Sequence, residues 1–143
     1  MRWRKHRSAP RRTSHDALMS PPANGAHVAP SPTKAAAAVQ DELEAVAAVF
    51  DDGETRIGIV AADVVGLSYS FVKDVRAAHA DALGLDYLLV HATHNHQGPD
   101  TQGIWGRSRL RSGVGEGYLK FLRQQMGTAL AQAARRLEPA EIE

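Results

Sequence analysis

The feature that most constrains the fold is a segment with helical spacing that lies between two short apolar runs. The runs, TRIGIVAADVV at 55–65 and DYLLVHAT at 86–93, are rich in aliphatic residues and are typical of buried strands. Between them, LSYSFVKDVRAAHADALG places Val72, Val75 and His79 on one helical face. This order predicts a βαβ unit with parallel strands and a right-handed crossover.

The segments on either side of this unit extend the prediction. LEAVAAVF at 43–50 and the turn DDGE at 51–54 predict a β-hairpin with the 55–65 strand. A glycine-rich loop at 94–114 precedes GYLKFLRQQMGTALAQAARRL, which predicts an amphipathic helix over 117–137. The fold class is therefore α/β: a β-hairpin plus a βαβ unit and a second amphipathic helix. Because so few strands leave open sheet edges, we expect an incomplete portion of a larger α/β domain, with a complete small domain as the alternative.

The first forty residues differ in composition from the rest of the chain. Seven Lys and Arg residues stand against Asp16 alone in residues 1–40, whereas residues 41–143 hold ten basic and fifteen acidic side chains. Five of the seven prolines also fall in this head, without apolar periodicity, so we expect residues 1–40 to be a disordered basic tail. It contains no apolar stretch typical of a signal peptide, and only Trp3 offers a ring for stacking on bases, so we expect no nucleic-acid partner.

The densest group of chemically active side chains is HATHNHQGPD at 91–100. The chain contains no cysteine, so a metal ion would have to be bound by His, Asp, Glu or Tyr. Ligands in open α/β sheets bind beyond the carboxyl ends of the parallel strands, where Asp63, His94 and His96 are expected to meet. Histidines spaced i, i+2 in extended backbone point to the same side, so His94 and His96 are candidate ligands of one metal ion such as Zn²⁺.

The neighbouring polar residues receive other roles. Asp100, just after the turn at Gly98-Pro99, is expected to hydrogen-bond an imidazole from outside the metal site. His91 lies within the second strand and His79 on the buried helix face, so both are expected to be structural histidines. Trp105 and Ile104 are expected to give the site an apolar cover.

These segments together resemble the amino-terminal part of the neutral/alkaline non-lysosomal ceramidase family. The resemblance rests on RIGIVAADVVGL followed by YLLVHATHNHQGPDTQGIWG and covers about residues 41–143, an amino-terminal ceramidase-like α/β portion. It implies a zinc-dependent amidohydrolase that cleaves the N-acyl bond of ceramide or a related lipid amide. It also implies that His94 is a zinc ligand, that His96 faces the substrate as ligand or acid/base, and that Asp63 is the catalytic acid at the adjacent strand end.

The chain departs from that family in its ligand set. The resemblance implies a zinc site of two His, one Glu and one Tyr, but no histidine follows His96, and Tyr118 falls on a helix face expected to pack in the core. We therefore expect this chain alone to be inactive, with the rest of the enzyme supplied by downstream sequence. Members of the family are commonly exported or membrane-associated, but no run of about 18 apolar residues, as a transmembrane helix needs, is present.

Two alternative interpretations of the same residues stay open. One is a truncated, non-catalytic relic or interaction module. The other is a metal-dependent hydrolase of the metallo-β-lactamase type, whose THxHxDH segment resembles THNH at 93–96. That pattern would require Asp and His at positions 98 and 99, where this chain has Gly98 and Pro99.

Overall fold

The structure, a computed structural model, describes residues 5–8, 18–19, 39, 41–105 and 112–140. Its central part is a three-stranded mixed sheet with two helices, and short strands pair at the edge. The elements in chain order are β1 Lys5–Ser8, β2 Leu18–Met19, β3 Leu43–Asp51, β4 Arg56–Ala62, α1 Tyr69–His79, a 3₁₀ turn Asp81–Leu83, β5 Tyr87–Ala92, α2 Glu116–Arg135 and β6 Pro139–Ala140. The predicted fold class is confirmed in its hairpin, its βαβ unit and its second helix.

The hairpin between β3 and β4 closes around Asp52. Its Oδ1 atom accepts hydrogen bonds from the backbone N–H groups of Glu54 and Thr55, at 3.1 and 2.8 Å, and these bonds lower the pKa of the carboxyl group. Gly53 supplies the positive φ of 89° that the turn requires. The two strands then pair antiparallel from Asp51 opposite Arg56 to Ala45 opposite Ala62.

The βαβ unit follows directly. Strands β4 and β5 pair in parallel, from Ile57 opposite Tyr87 to Ala62 opposite Ala92. Ser68 caps α1 by accepting a hydrogen bond from the N–H of Phe71. Gly84, with a φ of 61°, ends the turn after the helix. Caps at both ends therefore set the length of the crossover.

Both helices pack on one face of the sheet. Alternate residues of β3, β4 and β5 point to that face, and α2 contributes the largest buried side chains, Leu122, Met126 and Leu130. The opposite sheet face has no helix among the described residues, so Tyr87 and Leu89 are exposed there. His91 shares their face and is exposed, so the expectation that it is a packed structural histidine is wrong.

Other expectations have mixed outcomes. His79 is a structural histidine, because its Nε2 atom lies 3.2 Å from the carbonyl oxygen of Arg123. The strand predicted over 55–65 is β4, which ends at Ala62 rather than at residue 65. The short strands β1 and β2 pair antiparallel with β3, and β6 pairs with β1; none of these pairings was predicted. Most of residues 1–40 lies outside the described residues, so disorder there stays a prediction.

No helix in the part of the chain that the structure describes combines the length and the apolar character that crossing a bilayer would need.

Candidate functional site

The candidate site lies where β4 and β5 end, and Asp63 joins these two ends. Its Oδ1 atom accepts a hydrogen bond from the hydroxyl of Thr93 at 2.8 Å, and its Oδ2 atom accepts one from the N–H of Glu44 at 3.0 Å. Its own N–H donates to the carbonyl oxygen of Glu44 at 2.9 Å. Both carboxylate oxygens are therefore used in tying three strand ends together.

His94 follows Thr93 in an uncommon backbone conformation. Its φ is 65°, in the left-handed region that side chains other than glycine rarely adopt. Its Nδ1 atom lies 2.7 Å from the carbonyl oxygen of Val65, just beyond the end of β4. A carbonyl oxygen can only accept, so Nδ1 carries the proton and the Nε2 atom of the neutral ring presents a lone pair. A metal-binding histidine is normally oriented by this kind of bond.

The imidazoles of His94 and His96 converge. Their Nε2 atoms are 3.3 Å apart, and their rings meet edge to face with centroids 4.7 Å apart. Two nitrogen atoms bound to one tetrahedral zinc ion at about 2.0–2.1 Å lie roughly 3.3–3.4 Å from each other. The pair thus has the separation that two imidazole ligands of one ion require. Without an ion, the Nε2–H of His96 donates to the lone pair of His94.

The route by which the rings meet differs from the expected one. The spacing argument assumed extended backbone, but β5 ends at Ala92 and His94 turns the chain with its positive φ. The side chain of Asn95 closes the next turn by accepting from the N–H of Gln97 at 2.7 Å. The expected convergence is present, but a pair of tight turns produces it.

A second turn, at residues 100–105, is built on Asp100. Its carboxylate accepts hydrogen bonds from four backbone N–H groups, those of Gln102, Gly103, Ile104 and Trp105. The prediction that Asp100 bonds an imidazole is therefore wrong, because its partners among the described residues are these backbone N–H groups. Thr101 ties the turn to the end of β4 through a 2.6 Å bond from its hydroxyl to the carbonyl oxygen of Gly66.

This turn places an aromatic ring beside the histidine pair. The indole of Trp105 lies 5.7 Å from the His96 ring, centroid to centroid, at an interplanar angle of 58°. Ile104 is 60% exposed next to it. Trp105 therefore gives the pair an apolar neighbour, as the sequence suggested, whereas the cover expected from Ile104 stays a prediction.

The predicted site residues are thus only partly brought together. The imidazoles of His94 and His96 are in contact, whereas the carboxylate of Asp63 accepts hydrogen bonds from Thr93 and Glu44. Across the described residues, no group of three or more His, Asp or Glu side chains has an arrangement that could hold a metal ion. The histidine pair fits zinc as two ligands of a larger set, and further ligands would have to come from elsewhere.

Tyr118 is a buried polar group near the site that the sequence assigned to packing. Its ring lies in the core as expected, but its hydroxyl is buried with no hydrogen-bond partner among the described residues. Burial, together with the negative charge of Asp63, raises its pKa to about 12. The phenol is therefore neutral at physiological pH.

Comparisons of the chain with protein-family profiles, with curated proteins and with solved structures found no match.

Proposed function

We propose that this chain carries the two-histidine part of a zinc centre in an amidohydrolase of the neutral ceramidase type. In this proposal His94 is a zinc ligand through Nε2, and His96 is the second ligand or the neighbouring acid/base. In this proposal downstream sequence supplies the rest of the ligand set, so the 143-residue chain alone binds zinc through the histidine pair but does not hydrolyse amides.

The observation that carries the proposal is the pair of distances around His94. The 2.7 Å contact of Nδ1 with the oxygen of Val65 orients the ring and selects its tautomer, and the 3.3 Å contact sets Nε2 beside that of His96. Backbone strain at a non-glycine residue supports a functional role, because such strain persists mainly where the surroundings hold it for a purpose.

The chemistry follows from these residues. A zinc ion supplies the Lewis acidity that hydrolysis of an unactivated amide needs. His94 contributes orientation and a lone pair. Where His96 is not a ligand, its Nε2–H is the proton available to a departing amine, within reach of the same point. Asp63 holds Thr93, and thereby the backbone that leads into His94; its assignment as the catalytic acid stays a prediction.

The apolar neighbours of the pair support a lipid-like amide as the substrate class. Trp105 contacts His96, and Ile104, the residue before Trp105, is 60% exposed. An acyl chain would bury these surfaces, and each buried methylene group contributes about 0.8 kcal/mol. Ceramide or a related N-acyl lipid fits this description.

Zinc titration of the untagged 143-residue chain tests the proposal, with matched histidine variants. We expect His94→Ala to abolish the tightest zinc binding. His91→Ala is the control, because His91 is exposed on β5 and forms no three-ligand group with the pair among the described residues. Equal zinc binding by the wild type and by His94→Ala would overturn the proposal.

Hydrolysis is tested on the chain extended by its downstream coding sequence. Zinc-dependent release of fatty acid from an N-acyl lipid that is lost in His94→Ala supports an amidohydrolase. If the 143-residue chain binds no zinc and the extended chain releases no fatty acid, the alternative of a non-catalytic interaction module is preferred.

A further inference from the structure

The least explained group near the site is the carboxylate of Asp100. It is 2% exposed, and the hydrogen-bond donors that it has among the described residues are backbone N–H groups. Four backbone N–H groups compensate the buried charge: Oδ1 accepts those of Gln102, Gly103 and Ile104 at 2.9, 2.7 and 3.2 Å, and Oδ2 accepts that of Trp105 at 2.8 Å. A buried carboxylate with such a set of donors fixes the turn around it.

The two histidines of the pair are held in different ways. His94 is oriented by the carbonyl oxygen of Val65. His96 is exposed, and the ring contacts it makes within the described residues are with His94 and with the indole of Trp105. In the described part of the chain, Trp105 is therefore the ring, besides that of His94, that packs against His96 and limits how it turns.

We propose that Asp100 is a positioning residue of the histidine pair: its buried carboxylate holds Trp105 against His96 and so keeps His96 directed at His94. The part of this inference that concerns metal affinity rests on the proposed function. The part that concerns the contact between Trp105 and His96 rests on the geometry alone.

Two further contacts make the turn a rigid support. Thr101 bonds the carbonyl oxygen of Gly66, the residue next to Val65, so the supports of both histidines are joined. A Cβ atom on Gly113 would lie 2.5 Å from Oδ2 of Asp100 and 2.6 Å from the carbonyl oxygen of Trp105. Gly113 therefore packs against the turn at van der Waals distance and leaves Trp105 little room to shift.

Asp100→Asn tests the hydrogen bond to Trp105 separately from the other hydrogen bonds of the turn. An asparagine in the same orientation keeps an acceptor oxygen for the three N–H groups at Oδ1 and places an NH₂ group against the N–H of Trp105. Asp52→Asn is the matched control, because both N–H groups bonded by the Asp52 side chain share one oxygen, far from the site. Trp105→Leu is the second variant, which leaves Asp100 intact.

The first readout is the indole N–H resonance of Trp105, observed by NMR in a Trp3→Phe background that leaves one tryptophan. Replacing His96 by Ala removes its ring current, so we expect the resonance to move clearly. When the chain also carries Asp100→Asn, we expect His96→Ala to shift the Trp105 resonance much less. When the chain carries Asp52→Asn instead, His96→Ala should shift the resonance as much as it does without that substitution. An equal move in all three backgrounds would overturn the proposal without reference to any metal.

The second readout is the zinc affinity of the full chain. We expect Asp100→Asn and Trp105→Leu each to weaken zinc binding by about tenfold, the size found for groups that orient metal ligands. Asp52→Asn should have no effect. Unchanged affinity in Trp105→Leu would overturn the positioning role even if Asp100→Asn misfolds. If the wild-type chain binds no zinc, the proposed function fails, and the NMR readout alone decides whether Asp100 holds Trp105 against His96.

Discussion

The Nδ1 atom of His94 lies 2.7 Å from the carbonyl oxygen of Val65, and this contact links the ends of the two parallel strands. It orients an imidazole that the backbone carries in a left-handed conformation. A bond to the main chain is insensitive to substitution of the residue that provides it, because any residue at position 65 has a carbonyl oxygen. The orientation of His94 therefore depends on the strand ends staying in register.

Asp63 maintains that register, and substitutions there test its role. Asp63→Ala removes the acceptors for Glu44 and Thr93 and should lower the free energy of unfolding by about 1–2 kcal/mol. Asp63→Asn can still accept from Glu44 and donate to the hydroxyl of Thr93, so its loss should stay below about 1 kcal/mol. Urea unfolding of the full chain measures both. An Asn variant as unstable as the Ala variant would show that the negative charge is what matters.

The same pair of variants bears on the metal. Because both carboxylate oxygens of Asp63 accept hydrogen bonds that join the strand ends, Asp63→Asn should bind zinc as tightly as the wild type. A clear loss of zinc affinity in this variant would place Asp63 in the metal site.

The Tyr118 hydroxyl should destabilise the fold, since it is buried without a partner among the described residues. Tyr118→Phe removes the unsatisfied group and should raise the free energy of unfolding by about 1 kcal/mol. Tyr87→Phe is the control, because Tyr87 is 64% exposed and its hydroxyl can reach water. Thermal unfolding compares the two variants. A destabilised Tyr118→Phe would mean that the Tyr118 hydroxyl makes a stabilising hydrogen bond.

The alkaline stability of the chain should also depend on Tyr118. Its pKa rises from 10.0 to about 12 on folding, so the folded state holds this proton more tightly than the unfolded state. The shift leaves the free energy of unfolding at its full value below pH 10 and lowers it as the pH rises from 10 to 12, by at most roughly 3 kcal/mol. Urea unfolding across this range should show the stability advantage of Tyr118→Phe over the wild type growing with pH. An advantage that does not change with pH would contradict the raised pKa.

The local patterns of the sequence predict the elements of this fold but not all their surroundings. The hairpin at Asp52-Gly53, the parallel pairing of β4 with β5 and the inward face of α2 all follow from turn residues and periodicity. The exposure of His91 does not, because periodicity tells which residues share a sheet face but not whether anything covers that face. The pairings of β1, β2 and β6 join segments distant in sequence, which no local pattern specifies.

The candidate site shows the same division. The position of His94 and His96 at the carboxyl end of a strand follows from topology. The left-handed φ of His94 and the four N–H groups around Asp100 do not, because each depends on the path of a loop. The position of Asp100 just after the histidines suggested an imidazole as its partner, whereas the donors it bonds are the backbone N–H groups of its own turn.

X-ray absorption at the zinc edge tests the central claim most directly, since it counts the imidazoles bound to the ion in the isolated chain. With one equivalent of zinc, the 3.3 Å separation of the Nε2 atoms predicts two imidazoles at about 2.0–2.1 Å, one of which is lost in His96→Ala. His91→Ala should give the wild-type spectrum. A spectrum without imidazole scattering, or one that His94→Ala and His96→Ala leave unchanged, would contradict a zinc centre at this histidine pair.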